Sequence, residues 1–186
     1  KSEIGEEPIL FIKPSTAIIR SGDEIVIPPF SRELHHELEF VLVIGRDGKN
    51  IPLESAYEYV FGYGVGLDMT LRDVQRESKK LGLPWSVAKG FDTSAPVSDI
   101  VPKDRMGPPQ NVSFSLTVNG QLRQRGTTRD MVFGIDVLLS YISKVFTLER
   151  GDVIFTGTPE GVATVKPGDT LTAQLEELVT LTCSVR

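Results

Sequence analysis

The chain has 186 residues, of which 40 % are hydrophobic and 24 % are charged, and its formal net charge is −5 at pH 7. This length and composition are typical of one globular domain, and the acidic balance argues against a general nucleic-acid surface. No apolar run approaches the roughly 18 residues that a membrane span needs. Because Cys183 is the single cysteine, no internal disulfide can form, which favours a reducing compartment.

The first third of the chain is predicted to be mostly strand. Short strands are expected at 9–14 and within 21–29, because each apolar run ends at a proline, which has no amide donor. Alternating apolar and polar residues then predict one continuous strand from His35 to Ile44, closed by a turn. Residues 53–60 are predicted to form a short helix.

The middle of the chain combines a glycine-rich strand with a helix. Glycines at 62, 64 and 66 alternate with apolar residues, which predicts a strand with neighbours packed against its bare backbone. A helix is expected over 70–82, opening with a capping box at Thr70 and ending at Gly82. The segment 85–98 is expected to be irregular.

The last part of the chain returns to strands. Asn119-Gly120, flanked by alternating residues, predicts a β-hairpin. An amphipathic helix is predicted within 133–148. A strand followed by a Gly/Thr/Pro loop is predicted within 151–162, and two closing strands within 168–186. Together these elements predict a β-dominated α+β domain with two or three helices.

Two carboxylates, Glu37 and Glu39, flank a single leucine in the stretch HHELEF. Alternate residues of a strand share a face, so these side chains would point the same way, with bases roughly 6.5–7 Å apart. Asp68, after the glycine-rich strand, would add a third carboxylate, and such a set suits a hard cation such as Mg²⁺, or Mn²⁺ as a substitute. Solvated acids at a strand end, and a helix N-terminal acid for Asp68, are the alternatives. Zinc is less favoured because no Cys–His ligand spacing is present.

Two further features could carry chemistry. Lys89 lies in the irregular stretch AKGF and could bind a substrate carboxylate or stabilise an enolate; a solvated surface lysine is the alternative. The loop FTGTPEGV at 155–162 offers threonine hydroxyls and exposed amides that could hold a carboxylate, or it is a plain turn. It is not a phosphate-binding P-loop, because the lysine and the spacing are missing.

Taken together, these segments resemble the fumarylacetoacetate hydrolase (FAH) family, and most closely its acylpyruvase and oxaloacetate decarboxylase branch, the FAH-domain-containing protein 1 (FAHD1) type. The resemblance covers nearly the whole chain and rests on FIKPSTAI (11–18), HHELEFVLVIG (35–45), GYGVGLDMTLRDVQ (62–75), KKLGLPWSVAKGFDTSAPVS (79–98), VNGQLRQ (118–124) and GDVIFTGTPEGV (151–162). It implies a single catalytic domain, residues 1–186, with an α+β fold built on a mixed β-roll or sandwich with a few flanking helices. It also implies a homodimer.

The resemblance assigns roles within the site. It implies that Glu37, Glu39 and Asp68 hold Mg²⁺ or Mn²⁺ and that Lys89 is catalytic. Substrate binding is assigned to Gln75, Lys89 and Thr158. The implied reaction is hydrolysis of acylpyruvates or decarboxylation of oxaloacetate, through an enolate that the metal stabilises. An oxaloacetate keto–enol tautomerase and a catalytically silent metal-binding scaffold are the alternatives.

One expected family feature has no counterpart. Members of this branch carry a His and a Glu on a short mobile helix upstream of the KPS segment, here Lys13 to Ser15. We expect this N-terminal lid to be missing from the sequence, and therefore assign no general base. The implied ligand is a small 2-oxo acid, with neither nucleic acid nor membrane as a partner. The implied location is intracellular: the mitochondrial matrix in a eukaryote, the cytoplasm in a bacterium.

Overall fold

The computed structural model describes residues 5, 7–107 and 109–186. These residues contain fourteen strands: β1 Ile18–Ile19, β2 Glu24–Ile25, β3 Leu34–His36, β4 Leu38–Ile44, β5 Val60–Leu67, β6 Thr70–Leu71, β7 Ala95–Pro96, β8 Val101–Pro102, β9 Ser113–Val118, β10 Gln121–Thr127, β11 Val153–Phe155, β12 Ala163–Val165, β13 Thr170–Leu175 and β14 Val179–Val185. The same residues contain four α-helices: α1 Arg72–Leu81, α2 Ser86–Lys89, α3 Lys103–Met106 and α4 Ile135–Val145. They also contain 3₁₀ turns at Ser15–Ala17, Leu53–Tyr59 and Thr128–Asp130.

The strands form a mixed β-roll in the described part of the chain. A five-stranded sheet has the order β10-β9-β13-β14-β2, and a four-stranded sheet has the order β11-β4-β5-β8. Smaller sheets join β12-β3-β6 and β1-β7. Most pairs are antiparallel, whereas β14–β2 and β1–β7 are parallel. The predicted β-dominated α+β class, with a few flanking helices, is confirmed. Within these residues no helix is both long and apolar enough to cross a membrane.

The hydrophobic core lies between the two larger sheets. Phe40 of β4 stacks on Tyr63 of β5 with ring centroids 5.5 Å apart, and it meets Phe114 of β9 at 6.1 Å. Because neighbouring residues of a strand point to opposite faces, Glu39 projects from the other side of β4. The same strand therefore anchors the core and presents a carboxylate.

The glycine-rich strand packs as predicted. A Cβ on Gly62 would lie 2.4 Å from the carbonyl oxygen of Val101, and one on Gly66 would lie 2.6 Å from the ring of Phe155. Neighbouring chain therefore fills the space that side chains would need.

The prediction of one strand from His35 to Ile44 is wrong in its continuity. The chain breaks at Glu37, because β3 pairs with β12 and β6, whereas β4 pairs with β11 and β5. At the break, the backbone N–H of Leu38 donates to the side chain of Gln124. The strand predicted at 9–14 is also absent from the described structure. Phe11 of that segment packs instead against the ring of Trp85.

Several other boundaries differ from the prediction. Helix α1 begins at Arg72 rather than Thr70, because Thr70 and Leu71 pair with β3 as strand β6. It ends as expected at Gly82, which is left-handed with φ of 64°. The segment predicted to be irregular at 85–98 contains the short helix α2, and the short helix predicted at 53–60 is a 3₁₀ helix.

The predicted hairpin is confirmed. Strands β9 and β10 are antiparallel neighbours, and Asn119 and Gly120 between them have φ of 52° and 76°. Two positive φ values are the mark of the tight turn that Asn-Gly favours. The amphipathic helix predicted within 133–148 is α4, and the two closing strands are β13 and β14.

Candidate metal and substrate site

The three predicted carboxylates converge. Glu37, Glu39 and Asp68 each offer an oxygen, and these oxygens all lie within 4.8 Å of one another. Glu39 lies on β4 and Asp68 directly follows β5, two strands paired with Leu38 opposite Leu67. Glu37 occupies the break before β4. All three side chains are buried, so the pairing of β4 with β5 concentrates negative charge inside the protein.

Two lysines, Lys89 buried and Lys13 partly buried, offset part of this charge. The Nζ of Lys89 lies 2.7 Å from Oε2 of Glu37, forms an ion pair with Asp68 and donates to the hydroxyl of Thr70 at 2.7 Å. The Nζ of Lys13 lies 2.8 Å from Oδ1 of Asp68 and donates to the backbone carbonyl of Ser94 at 3.0 Å. Lys89 is therefore part of the cluster and not a solvated surface lysine.

Neighbouring protein groups compensate the charges of the three carboxylates to different extents. Burial raises the pKa of Glu37, but Lys89 and Arg72 together hold that pKa below its usual value. Burial and the neighbouring Asp68 raise the pKa of Glu39 well above its usual range, although its Oε2 accepts a 2.6 Å hydrogen bond from the backbone N–H of Gly157. Burial also raises the pKa of Asp68, against the opposing effect of the two lysines. Of the three carboxylates, Glu39 is therefore the one whose ionised form the protein stabilises least.

These residues fit a divalent cation. Their oxygens lie within 4.8 Å of one another, and the ammonium groups of Lys89 and Lys13 contact Asp68 from the protein side. A donor set of three carboxylate oxygens is typical of Mg²⁺ and Mn²⁺ sites, which keep further positions for water and substrate. The donor chemistry of this buried group, together with the weakly compensated Glu39, therefore fits such an ion.

Gln75 lies one contact away from the carboxylates. Its Oε1 accepts a 2.6 Å hydrogen bond from Arg72, whose other terminal nitrogen donates to Oε1 of Glu37 at 2.6 Å. The sequence prediction missed Arg72. The sequence did contain a signal for Arg72: it precedes Gln75 by three residues on α1, and residues at that spacing share one face of a helix.

Thr158 lies on the loop after β11, next to Gly157, whose N–H donates to Glu39. This loop, Glu39 and Lys13 line a cavity of about 1080 Å³, whose other walls are largely apolar. The Oγ1 of Thr158 accepts a 2.9 Å hydrogen bond from Nε2 of Gln124. The structure therefore brings together Glu37, Glu39, Asp68 and Lys89, with Gln75 and Thr158 joined to them through Arg72 and Gln124.

Three contacting residues were not predicted from their chemistry. Lys13 and Gln124 lie in the stretches FIKPSTAI and VNGQLRQ, which were used only as evidence for the family resemblance. Thr70 was interpreted as a helix cap. The two histidines bond to groups beside the carboxylates: His35 contacts Glu33 and Arg72, and His36 contacts Gln124.

The comparison with protein families identifies the family of this chain. The model described as fumarylacetoacetate (FAA) hydrolase, C-terminal, matches residues 1–186. The chain belongs to the fumarylacetoacetate hydrolase family. This FAH-family chain is 49 % identical over 185 residues to a Homo sapiens protein named oxaloacetate tautomerase FAHD1, mitochondrial, with 100 % of the chain and 84 % of the human protein covered. A relative of the same name from Arabidopsis thaliana is 46 % identical, over 94 % of the chain and 78 % of that protein.

Solved structures agree with the FAH fold. The crystal structure of fumarylpyruvate hydrolase from Pseudomonas aeruginosa in complex with Mn²⁺ and pyruvate has a TM-score of 0.92 and 39 % identity, and the match covers 97 % of this chain and 79 % of that one. A 5-carboxymethyl-2-hydroxymuconate delta-isomerase from Mycobacterium smegmatis has a TM-score of 0.89 and 41 % identity, covering 98 % and 72 %.

These relatives define the chain at the level of the family. The predicted family and its FAHD1-type branch are confirmed, and the chain is an FAH-family enzyme with a divalent-metal site. Its eukaryotic relatives are named as mitochondrial. Membership of the family does not by itself specify the reaction or the identity of the ion.

Proposed function

We propose that this enzyme interconverts the keto and enol forms of a small 2-oxo acid, with oxaloacetate as the first candidate. The observation that carries the proposal is the buried carboxylate cluster with Lys89 in direct contact. The names of the relatives from Homo sapiens and Arabidopsis thaliana support oxaloacetate as the substrate.

In this proposal Glu37, Glu39 and Asp68 hold Mg²⁺ or Mn²⁺. A bound divalent cation supplies a Lewis acid that stabilises negative charge on the 2-keto oxygen. Glu39 is held in place by the N–H of Gly157, and Glu37 is held by Arg72. These two contacts fix carboxylates that would otherwise repel each other.

Lys89 is the proposed catalytic residue. Its ammonium group already lies among the carboxylates, 2.7 Å from Glu37, and its stem is held by the short helix α2. A cation at this position can bind a substrate carboxylate or stabilise the enolate oxygen. Thr158, on the loop that contacts Glu39, offers a hydroxyl to the substrate, and Gln75, which is bonded to Arg72, is a second polar group near the site.

Cleavage of a C–C bond is the second candidate. Hydrolysis of an acylpyruvate and decarboxylation of oxaloacetate both pass through an enolate, so the same residues would serve. The bound pyruvate named for the Pseudomonas aeruginosa hydrolase, and the size of the apolar cavity, favour this option.

An NMR assay separates these reactions. Oxaloacetate and acetylpyruvate are incubated with the protein and with Mg²⁺, Mn²⁺ or EDTA, and keto, enol and pyruvate signals are followed. We expect metal-dependent acceleration of keto–enol exchange without matching pyruvate release, and its loss in Asp68→Ala. Asp92→Asn, at an exposed position, is the control.

Each other outcome has a distinct meaning. Pyruvate release that depends on metal and on Asp68 would favour hydrolysis or decarboxylation. Turnover that survives EDTA or Asp68→Ala would overturn the metal site. Binding of Mn²⁺ without turnover of either acid would favour the silent scaffold.

We also propose that the enzyme works as a homodimer inside the cell, as the family resemblance implies. Phe30 and Phe61 are large apolar side chains exposed by 62 % and 51 %, and a partner subunit could cover such groups. Size-exclusion chromatography with light scattering would test the dimer. A monomer at micromolar concentration would contradict it.

A further inference from the structure

Gln124 occupies an irregular point of strand β10. Its side chain is 1 % exposed. The pairing with β9 shifts between Leu122, opposite Thr117, and Gln124, opposite Leu116, which leaves Arg123 as an extra residue. A bulge of this kind re-aims side chains and is common beside active sites. Here the buried amide reaches the break between β3 and β4.

The orientation of the amide is set by two backbone groups. Its Oε1 accepts from the N–H of Leu38 at 2.9 Å, and its Nε2 donates to the carbonyl of Pro159 at 2.9 Å. A backbone N–H can only donate and a carbonyl can only accept. A flipped amide would place donor against donor and acceptor against acceptor.

The fixed amide dictates how Thr158 bonds. Nε2 of Gln124 lies 2.9 Å from Oγ1 of Thr158, and an amide nitrogen can only donate, so the threonine oxygen must accept. The hydroxyl proton is then left to donate, and its contact within the protein is a long one, 3.5 Å to the carbonyl of Pro159, which already accepts from Gln124. Because Thr158 and Glu39 line the same cavity, that proton is placed to meet an anionic oxygen of the substrate.

The same amide also holds the carboxylate pair. Leu38 separates Glu37 from Glu39, so anchoring its N–H fixes the backbone from which both side chains project. A third bond, from Nδ1 of His36 to Oε1 at 2.8 Å, keeps the amide oxygen in place.

The loop that carries Thr158 packs directly on the bulge. Gly161 has φ of +102°, and a Cβ there would lie 2.4 Å from the carbonyl oxygen of Arg123 and 3.2 Å from Cγ of Gln124. This close approach brings the loop to the amide independently of the hydrogen bonds.

We propose that Gln124 is a positioning residue that joins the metal-holding carboxylates to the substrate-binding loop and makes Thr158 a hydrogen-bond donor. This inference rests on the proposed function, because it assumes that the cluster binds a divalent cation and that Thr158 faces a 2-oxo acid.

A double-mutant cycle tests the link. Binding of Mn²⁺, and of pyruvate to the Mn²⁺-loaded protein, is measured by calorimetry for wild type, Gln124→Met, Thr158→Val and the double variant. We expect each single change to weaken pyruvate binding roughly tenfold, as for the loss of one buried hydrogen bond, and the double variant to be no weaker than Gln124→Met. Thr158→Val should leave the Mn²⁺ affinity within about twofold.

Gln124→Glu separates the two roles proposed for Gln124, which are to hold the N–H of Leu38 and to donate to Thr158. It keeps an acceptor for Leu38 and His36 but cannot donate to Thr158 unless it is protonated, so Mn²⁺ binding should persist while pyruvate binding weakens. Gln121→Met, at an exposed glutamine of the same strand, is the matched control. Thermal melting verifies folding, and Gln124→Glu carries the test if Gln124→Met does not fold.

The outcomes are distinguishable. Additive effects in the cycle, or pyruvate binding by Gln124→Glu at wild-type strength, would overturn the inference alone. Wild-type protein that binds Mn²⁺ no better than Asp68→Asn would overturn the proposed function, and the inference with it.

Discussion

The site has two halves that are built in different ways. The strand half comprises Glu37, Glu39 and Asp68, whose positions follow from the pairing of β4 with β5. The loop half comprises Thr158 and its loop, residues 156–161, held by the Gln124 side chain and by a left-handed glycine. Strand pairing distributes the constraint over many backbone hydrogen bonds, whereas the loop depends on a few side-chain contacts. Changes in the strand half should therefore act mainly on metal binding and changes in the loop half mainly on substrate binding, with the bond from Gly157 to Glu39 as the direct link between the halves.

The largest effect is expected for Asp68→Asn in the strand half. The amide keeps the shape of the side chain but removes an anionic ligand next to Lys13 and Lys89. The Mn²⁺ affinity, measured by calorimetry, should fall by roughly 100-fold or more, since even residues that only support metal ligands contribute 10–100-fold. Asp92→Asn should bind like wild type. An unchanged affinity in Asp68→Asn would mean that the cluster is not the metal site.

Lys89→Met tests whether the lysine stabilises the metal-free cluster. Removing a buried ammonium leaves Glu37 and Asp68 less compensated, so the metal-free protein should lose about 3 kcal/mol of unfolding free energy. Mn²⁺ should restore much of this loss while turnover stays low. Urea unfolding with and without Mn²⁺ measures both effects.

The exposed Lys80 supplies the control for that variant. Lys80 pairs with Glu77 on the surface of α1, and surface pairs contribute little. Lys80→Met should therefore unfold like wild type. If metal-free Lys89→Met is as stable as metal-free wild type, Lys89 does not balance the charge of the carboxylates.

Gly161→Ala should act on the loop half. The new Cβ would meet the carbonyl of Arg123, and a φ of +102° is strained for alanine. We expect a loss of about 1–3 kcal/mol in unfolding free energy, with weaker pyruvate binding and a smaller loss of Mn²⁺ affinity, because Gly157 of the same loop donates to Glu39. Gly168→Ala is the matched control, since Gly168 has φ of +92° with no atom near the new Cβ. Equal losses in the two variants would show that the contact with the bulge adds nothing.

The same contrast explains what the sequence could predict. Period-two alternation and the glycine strand correctly bring Glu39 and Asp68 together, because strand geometry is local and regular, whereas Glu37 joins them from the break between β3 and β4. The break at Glu37 was not predictable, since it depends on a hydrogen bond from Leu38 to Gln124, 86 residues away along the chain. The contacts of Lys13 are equally long-range, because its partners Asp68 and Ser94 come from distant segments. Local patterns carry no information about such contacts.

The smallest effect is expected outside both halves, at Cys183 on β14. Burial raises the pKa of this thiol to about 11, compared with about 8.5 for an unperturbed cysteine. The folded protein therefore keeps a proton that the unfolded chain releases, so this contribution to stability is complete below about pH 8.5 and is lost as the pH rises towards the folded value. The difference in urea unfolding between wild type and Cys183→Ala should shrink over that range, equally with and without Mn²⁺. Native protein at pH 8 should also react slowly with a thiol reagent. A labelling rate equal to that of unfolded protein would contradict the burial of the thiol, and a pH effect that changed with Mn²⁺ would mean that this sheet is coupled to the strand half of the site.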